Sequence, residues 1–142
     1  AVPAVSDRIA AILREPMKGE PVMCPLRPET VLPLASAGGV VRALLALHDV
    51  AAQDLPANRA MNLPALSATV GDMVEALARH GGPDMAARVR FAPDPALQAI
   101  VDGWPRRFVS AAALRLGLQS EAGMAALIED HLADMRGIGD GG

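Results

Sequence analysis

The chain has 142 residues, and its 13 Lys and Arg residues against 16 Asp and Glu residues give a formal net charge of -3. It contains one Cys and no Tyr, and Lys18 is its single lysine. One cysteine excludes an internal disulfide and any multi-cysteine metal site. The mildly acidic balance argues against a nucleic-acid partner, and no apolar run approaches the roughly 18 residues of a membrane span. We therefore expect one domain of a cytoplasmic protein.

The first predicted elements are a helix, a short strand and a loop. Ser6-Asp7 is typical of a helix start and Pro16 of a helix end, so a helix is predicted between them. The run Val22-Met23-Cys24 predicts a strand. The proline-rich stretch over residues 27–35 predicts a loop that contains at most a short strand.

The middle of the chain predicts two helices around a second strand. The first helix is apolar on nearly all sides and spans residues 38–52, and a strand is predicted over residues 59–63. Thr69 stands three residues before Asp72, which is close to the capping-box pattern of a helix start. That second helix ends at His80-Gly81-Gly82-Pro83.

Two further helix starts follow a third strand. Arg88-Val89-Arg90-Phe91 alternates polar and apolar residues, as a half-buried strand does. Asp94-Pro95 predicts a helix whose buried stripe ends at Trp104 and whose end is set by Pro105. Ser110 caps the next, short helix.

The last predicted helix begins near Glu121, and residues 137–142 predict a flexible glycine-rich tail. Three short strands alternating with helices predict an α/β fold, or an α+β fold in isolation, in which several helices pack on a small sheet. Such a sheet covers only part of the apolar helix surface, which suggests that another layer packs on it.

Chemically active side chains are scattered along the sequence. The potential metal ligands lie in four different elements, so no metal site is predicted: His48, His80, His131 and Cys24. No serine has the Gly-x-Ser-x-Gly setting of a nucleophile, and no catalytic residue is predicted. We expect Glu129, Asp130 and Asp134 on the solvated outer face of the last helix.

Two glycine patterns were candidates for phosphate contact. The one in residues 137–142 follows a helix, whereas a dinucleotide loop joins a strand to a helix. Gly38-Gly39 opens a helix, and it permits either amide contacts to a phosphate or close packing of that helix. Both interpretations of Gly38-Gly39 stay open.

Arginines suggest a site for an anion. Arg88 and Arg90 alternate on one predicted strand, and Arg107 follows the only tryptophan, Trp104. A forked guanidinium suits a carboxylate or phosphate, although solvated surface arginines would give the same spacing. Spacing alone therefore leaves both interpretations open.

Three segments resemble the extended short-chain dehydrogenases, the NAD-dependent epimerase/dehydratase family. They are the runs from Arg59 to Leu77, from Phe91 to Phe108 with its Pro-Asp-Pro and Trp-Pro-Arg-Arg-Phe blocks, and from Ala113 to Leu118. The opening run from Ile12 to Gly19 is similar as well, and within the family the D-erythronate dehydrogenases resemble the chain most. The resemblance covers nearly the whole chain.

The resemblance implies the substrate-binding, C-terminal half of such an enzyme, over residues 1–136. The family's N-terminal Rossmann half binds NAD through a glycine-rich loop and carries a Tyr-x-x-x-Lys pair, and this chain has neither. The resemblance therefore implies NAD on the absent half and no activity of this chain alone. That Rossmann half is the expected partner, and the exposed apolar face that it leaves also permits self-association.

The implied substrate is a small anionic hydroxy acid resembling D-erythronate. The residues expected at its pocket are Arg88, Arg90, Trp104, Arg107 and Ser36. Relatives carry a Ser-Pro-Arg run before the apolar helix, and only Ser36 of that run aligns here, which puts the substrate in question. The alternatives are the same portion of a nucleotide-sugar epimerase or dehydratase, or a stand-alone binding module without catalysis.

Overall fold

A computed structural model describes residues 4–139 and has a mixed α/β architecture, as predicted. The helices are α1 (Val5–Met17), α2 (Ala37–His48), α3 (Val70–Gly81), α4 (Pro83–Ala86), α5 (Pro95–Asp102), α6 (Ala111–Arg115) and α7 (Met124–Gly139). The strands are β1 (Val22–Cys24), β2 (Val31–Leu34), β3 (Leu66–Thr69) and β4 (Val89–Phe91). No helix within residues 4–139 combines the length and the apolar character needed to cross a membrane.

The chain divides into two compact units, whereas the sequence patterns indicate one domain. The first unit contains the chain up to Leu32 together with Ala68–Pro105. The second contains Pro33–Ser67 and the chain from Arg106 onward. The chain passes from one unit to the other within β2 and within β3, and these two strands pair with each other.

The first unit is built on a parallel pair of strands. β1 pairs with β4 in the register Val22 to Val89, Met23 to Arg90 and Cys24 to Phe91. Helices α1 and α3 supply half of its buried hydrophobic residues, and among these Ile12 and Leu77 are fully buried. Because alternate residues of a strand face opposite sides, Cys24 is buried while Met23 is 58% exposed.

A buried amide anchors the loop after β1 to helix α5. Gln98 is 3% exposed, and its Oε1 accepts the backbone N–H of Arg27 at 2.9 Å. Its Nε2 donates to Thr30 Oγ1 at 3.0 Å and to Asp102 Oδ1 at 2.8 Å. Gln98 thereby satisfies polar groups that take no part in the hydrogen bonds of a helix or a sheet.

The predicted caps of α3, α5 and α6 are confirmed because they are local. The cap predicted at Ser6-Asp7 is wrong, since α1 begins at Val5 and its N-cap, Ala4, forms no side-chain hydrogen bond. Thr69 and Asp72 form the full capping box at α3, and Asp94 accepts two backbone N–H groups at the start of α5. Ser110 Oγ accepts the N–H of Ala113 at 3.1 Å. The backbone and side-chain hydrogen bonds of Thr69 also hold the pKa of Asp72 below its usual value.

In the second unit, α2 packs against α7. Ser36 caps α2 and accepts the N–H of Gly39 at 2.8 Å. Leu118, Leu127 and Ile128 are buried in this unit. By contrast, no residue of α2 itself is buried, although most of its residues are apolar.

The strand predicted over residues 59–63 is wrong. This stretch is a turn and an extended segment, and the strand begins at Leu66. Asn58 Oδ1 accepts the N–H of Ala60, and Arg59 adopts a φ of 54°, so a polar turn ends any extended run there. The described strands also form two separate pairs, β1 with β4 and β2 with β3, in place of one three-stranded sheet.

Three helix boundaries differ from the predicted ones. Pro16 lies inside the last turn of α1, which ends at Met17. Trp104 follows α5 without belonging to it and is half-buried. Helix α7 begins at Met124 and continues to Gly139, so the predicted tail is helical at its start, and residues 140–142 lie outside the described residues.

Candidate functional site

The five predicted site residues fall in different units. Arg88, Arg90 and Trp104 belong to the first unit, and Ser36 and Arg107 belong to the second. Arg88 and Arg90 line the same depression, whereas Trp104 is not among the residues that line it. Arg107 is exposed and Ser36 is buried. The first unit therefore brings together two of the predicted residues.

The arginine depression lies beside strand β4 and is shallow, with a volume of about 480 Å³. Arg90 belongs to β4, and Arg88 lies in the turn directly before it. The depression is also lined by Pro21, Asp84 and Ala87. Within residues 4–139 neither arginine forms an ion pair with a carboxylate, so both guanidinium groups are available to an anion.

The second unit contains a denser polar network around Ser36. The Ser36 hydroxyl lies 2.6 Å from Glu121 Oε1, and the Ser36 backbone N–H donates to the same oxygen at 2.8 Å. The same hydroxyl lies 3.0 Å from Asp130 Oδ2. A hydroxyl carries one hydrogen, so it donates to one carboxylate at a time. Ser36 thus forms a two-donor fork that binds a carboxylate of the chain itself.

Helix α7 supplies two further acidic groups, and the prediction that they face solvent is wrong. Asp130 Oδ2 lies 2.5 Å from Arg42 Nη2 in an ion pair, with the Asp130 side chain 27% exposed. Asp134 Oδ2 accepts the N–H of Gly38 at 3.1 Å. The Asp134 carboxylate satisfies the Gly38 amide in the first turn of α2, and both carboxylates complement the positive end of the helix dipole. Within residues 4–139, no group of acidic, histidine or cysteine residues has the arrangement of a metal site.

The structure decides between the two interpretations of Gly38-Gly39. A Cβ atom at Gly39 would collide with the Glu121 carboxylate and lie 3.0 Å from Ser36 Oγ. A Cβ atom at Gly38 would lie 3.3 Å from an Asp134 oxygen. The glycines are therefore needed for close approach, and the amides that a phosphate would use are bonded to Asp134 and Ser36.

A pocket of about 320 Å³ adjoins the Ser36 network. It is lined on one side by α2, including Gly39 and Arg42, and on the other by the segment from Gly117 to Glu121. Its charged groups are the guanidinium of Arg42 and the carboxylate of Glu121. A small anion that displaced Glu121 from the Ser36 fork would find a cation within the same pocket.

Four members of the network were not predicted as site residues: Arg42, Glu121, Asp130 and Asp134. A partial signal exists for the two aspartates, because Leu127, Asp130 and Asp134 recur at i, i+3 and i+7. Two carboxylates on the buried stripe of a helix require partners, which indicates a polar contact within the fold. Arg42 and Glu121 have no comparable signal, since each is a single charge that no pattern in the sequence relates to the other members of the network.

We expect acid to weaken the network through Asp130. The hydrogen bond from Arg42, followed by that from Ser36, holds the pKa of Asp130 below its usual value. A lowered folded-state pKa stabilises the fold above the unfolded value and loses that contribution as the pH falls through the folded value. Asp130→Asn should therefore reduce the slope of stability against pH below about pH 4, measured by urea unfolding.

The matched control for this experiment is Glu129→Gln on the exposed neighbouring position of α7. It changes the same number of charges without touching Ser36 or Arg42. Equal slopes for the two variants would contradict a stabilising role of ionised Asp130. Glu121 and Asp134 face the same helix start, so both carboxyls stay unchanged in the two variants.

Comparison with known proteins identifies relatives over most of the chain. No model of a protein family matches it. The chain is 37% identical over 131 residues to the D-erythronate dehydrogenase of Cupriavidus necator, covering 92% of the chain and 40% of the relative. It is 30% identical over 129 residues to the D-erythronate dehydrogenase of Haemophilus influenzae, covering 91% and 41%. The chain thus spans about two fifths of the length of these relatives.

A solved structure agrees with the sequence comparison. The chain superposes on a nucleoside-diphosphate-sugar epimerase from Agrobacterium tumefaciens with a TM-score of 0.87 and 29% identity. The match covers 94% of this chain and 39% of that structure. The fold is therefore that of the corresponding portion of epimerase-like proteins, as the sequence resemblance implied.

Proposed function

Because the chain is homologous to the C-terminal part of D-erythronate dehydrogenases of the NAD-dependent epimerase/dehydratase family, we propose that it is the substrate-binding portion of a NAD-dependent oxidoreductase. Its substrate is a small hydroxy acid resembling D-erythronate. The observation that carries this proposal is the similarity to two D-erythronate dehydrogenases over most of the chain.

NAD itself does not fit the described residues. The one strand-to-helix turn with adjacent glycines joins β2 to α2, where a dinucleotide phosphate would need free amides. Those amides are bonded to Asp134 and to Ser36. NAD, which accepts a hydride when bound, would therefore be held by the remaining portion of the whole protein. The role of this chain is to bind and orient the substrate.

The chemistry of two arginines indicates which residues bind the charged end of the substrate. Arg88 and Arg90 offer two guanidinium groups at one depression, and a guanidinium fork matches a carboxylate. We assign these two residues to the substrate carboxylate, and Trp104, which belongs to the same unit, to the rim of the site. Ser36 and Arg107 belong to the second unit and stay predictions from the resemblance.

Titration calorimetry of the chain with D-erythronate tests the proposal. We expect binding of D-erythronate and none of erythritol, which lacks the carboxylate. Arg88→Gln and Arg90→Gln should each weaken binding by about tenfold or more, since a hydrogen bond to a charged group contributes about 1.5–3 kcal/mol. The matched control is Arg115→Gln, which removes an exposed arginine outside the depression.

If Arg115→Gln weakens D-erythronate binding as much as Arg88→Gln and Arg90→Gln do, the assigned site is contradicted. Absence of D-erythronate binding by the chain and by the whole protein would contradict the proposed substrate. Both outcomes are read from the same titration, so the site and the substrate are tested separately.

A second candidate substrate is a nucleoside-diphosphate sugar. The superposition with the Agrobacterium tumefaciens epimerase favours it, and the two arginines would then hold the diphosphate. The same titration with a UDP-sugar separates the candidates. Tighter binding of the UDP-sugar than of D-erythronate would select the epimerase function.

A further inference from the structure

The arginine depression of the first unit also contains a negative charge. Asp84 lines the same depression as Arg88 and Arg90, so one carboxylate lies beside the two guanidinium groups. Asp84 is exposed, and among residues 4–139 it forms no ion pair with either arginine. The depression therefore offers two positive charges and one negative charge, and each of them is available to a ligand.

Backbone hydrogen bonds hold the three charged residues in place. Asp84 belongs to α4, and the turn after this helix is closed by the N–H of Arg88, which donates to the carbonyl of Met85 at 3.2 Å. The carbonyl of Arg88 accepts the N–H of Val22 at 2.9 Å, which ties the turn to β1. Arg90 belongs to β4, and this strand also pairs with β1. The backbone of all three residues is thus ordered before a ligand binds, which lowers the cost of binding.

The two kinds of charge accept different groups of a ligand. A guanidinium only donates hydrogen bonds and suits a carboxylate or a phosphate, whereas an ionised carboxylate only accepts them and suits a hydroxyl group. A second anionic group on the ligand would meet the carboxylate of Asp84 as a like charge. Repulsion of this kind is one way in which a binding site rejects the wrong ligand. A ligand with one anionic end and hydroxyl groups on the remainder matches all three residues.

We propose that Asp84 is a specificity-determining residue for the substrate, an inference that rests on the proposed function. Its carboxylate accepts a hydrogen bond from a hydroxyl group of the substrate and repels a second anionic group. The substrate class is then a polyhydroxylated acid with a single carboxylate. Arg88 and Arg90 alone would accept a hydroxy acid or a sugar diphosphate, whereas Asp84 favours the hydroxy acid because a diphosphate carries further negative charge.

Two ligands with the same carbon skeleton test the role of Asp84. D-erythronate has one carboxylate, and meso-tartrate has a second carboxylate in place of the terminal hydroxymethyl group. Titration calorimetry at constant ionic strength measures both dissociation constants, since salt screens exposed charges. We expect the unsubstituted chain to bind D-erythronate more tightly than meso-tartrate. Asp84→Asn should tighten meso-tartrate by about tenfold, because it removes the like charge.

D-erythronate affinity should change less in the same variant, because the amide oxygen of asparagine still accepts a hydroxyl group. Asp84→Glu keeps the charge and should keep the preference for D-erythronate. The matched control is Asp54→Asn, which removes one carboxylate from an exposed turn of the second unit. An equal gain in meso-tartrate affinity for Asp54→Asn and Asp84→Asn would reveal a general effect of net charge and would overturn the proposal.

The two ligands also separate this proposal from the proposed function. If D-erythronate binds but Asp84→Asn leaves the affinity for meso-tartrate unchanged, the substrate assignment stands and the role of Asp84 is overturned. If D-erythronate does not bind and Asp84→Asn still tightens meso-tartrate, the proposed substrate fails while the exclusion of dianions by Asp84 is supported.

Discussion

Ser36→Ala is expected to lower the free energy of unfolding by about 2–4 kcal/mol, as the sum of a lost helix cap and an unpaired charged group. The substitution removes the oxygen that accepts the N–H of Gly39, and it removes one of the two donors to Glu121. Asp130 also loses its neighbour at 3.0 Å. Urea unfolding followed by circular dichroism measures the change.

Ser110→Ala is the matched control, because Ser110 is also an N-cap but contacts no carboxylate among the described residues. Its loss should cost about 1 kcal/mol, the ordinary value of a cap. If Ser36→Ala loses no more unfolding free energy than Ser110→Ala, the contacts of Ser36 with the carboxylates add nothing to the stability that the cap provides. Ser36→Thr keeps the hydroxyl and should retain most of the stability.

Gln98→Leu is expected to lower the free energy of unfolding by about 2–4 kcal/mol, although leucine fills a similar volume. The amide is 3% exposed, and its loss leaves the N–H of Arg27 and the hydroxyl of Thr30 without their partner. An unsatisfied buried polar group costs about 1–3 kcal/mol. Trp104 follows helix α5, so its fluorescence reports unfolding of the unit that contains Gln98.

The control for this prediction is Gln53→Leu, which makes the same change at an exposed turn position. A surface substitution of this kind usually changes stability by less than about 0.5 kcal/mol. If the two variants unfold at the same urea concentration, the buried amide does not anchor the loop after β1. Gln98→Glu tests the role of the amide donor, because it keeps the volume and the oxygen acceptor and replaces the donor with a carboxylate oxygen.

Local chemistry made several elements predictable. Thr69 with Asp72, Asp94 with Pro95, and Ser110 each place a cap within three residues of the amide that it bonds. The alternation in Arg88–Phe91 likewise predicts β4, which the structure has at Val89–Phe91. These features depend on neighbours in the sequence, so no tertiary information is needed to find them.

Sequence patterns failed where the partner is distant. Ser36 and Asp130 are separated by 94 positions, and no pattern in either segment indicates that the two side chains meet. The strand predicted over residues 59–63 failed for a different reason, since the Asn58 side chain bonds the backbone and starts a turn.

The sequence by itself determined the starts of α3, α5 and α6, the mixed α/β class and, through its resemblance, the dehydrogenase relatives. Only the tertiary structure decided that the chain folds as two units and that Ser36, Glu121 and Asp130 share one network. It also decided that α2 presents a bare apolar stripe. The physical reason is that caps and periodicity are satisfied within a few residues, whereas the pairing of buried charges and the covering of apolar surface depend on which elements meet in space.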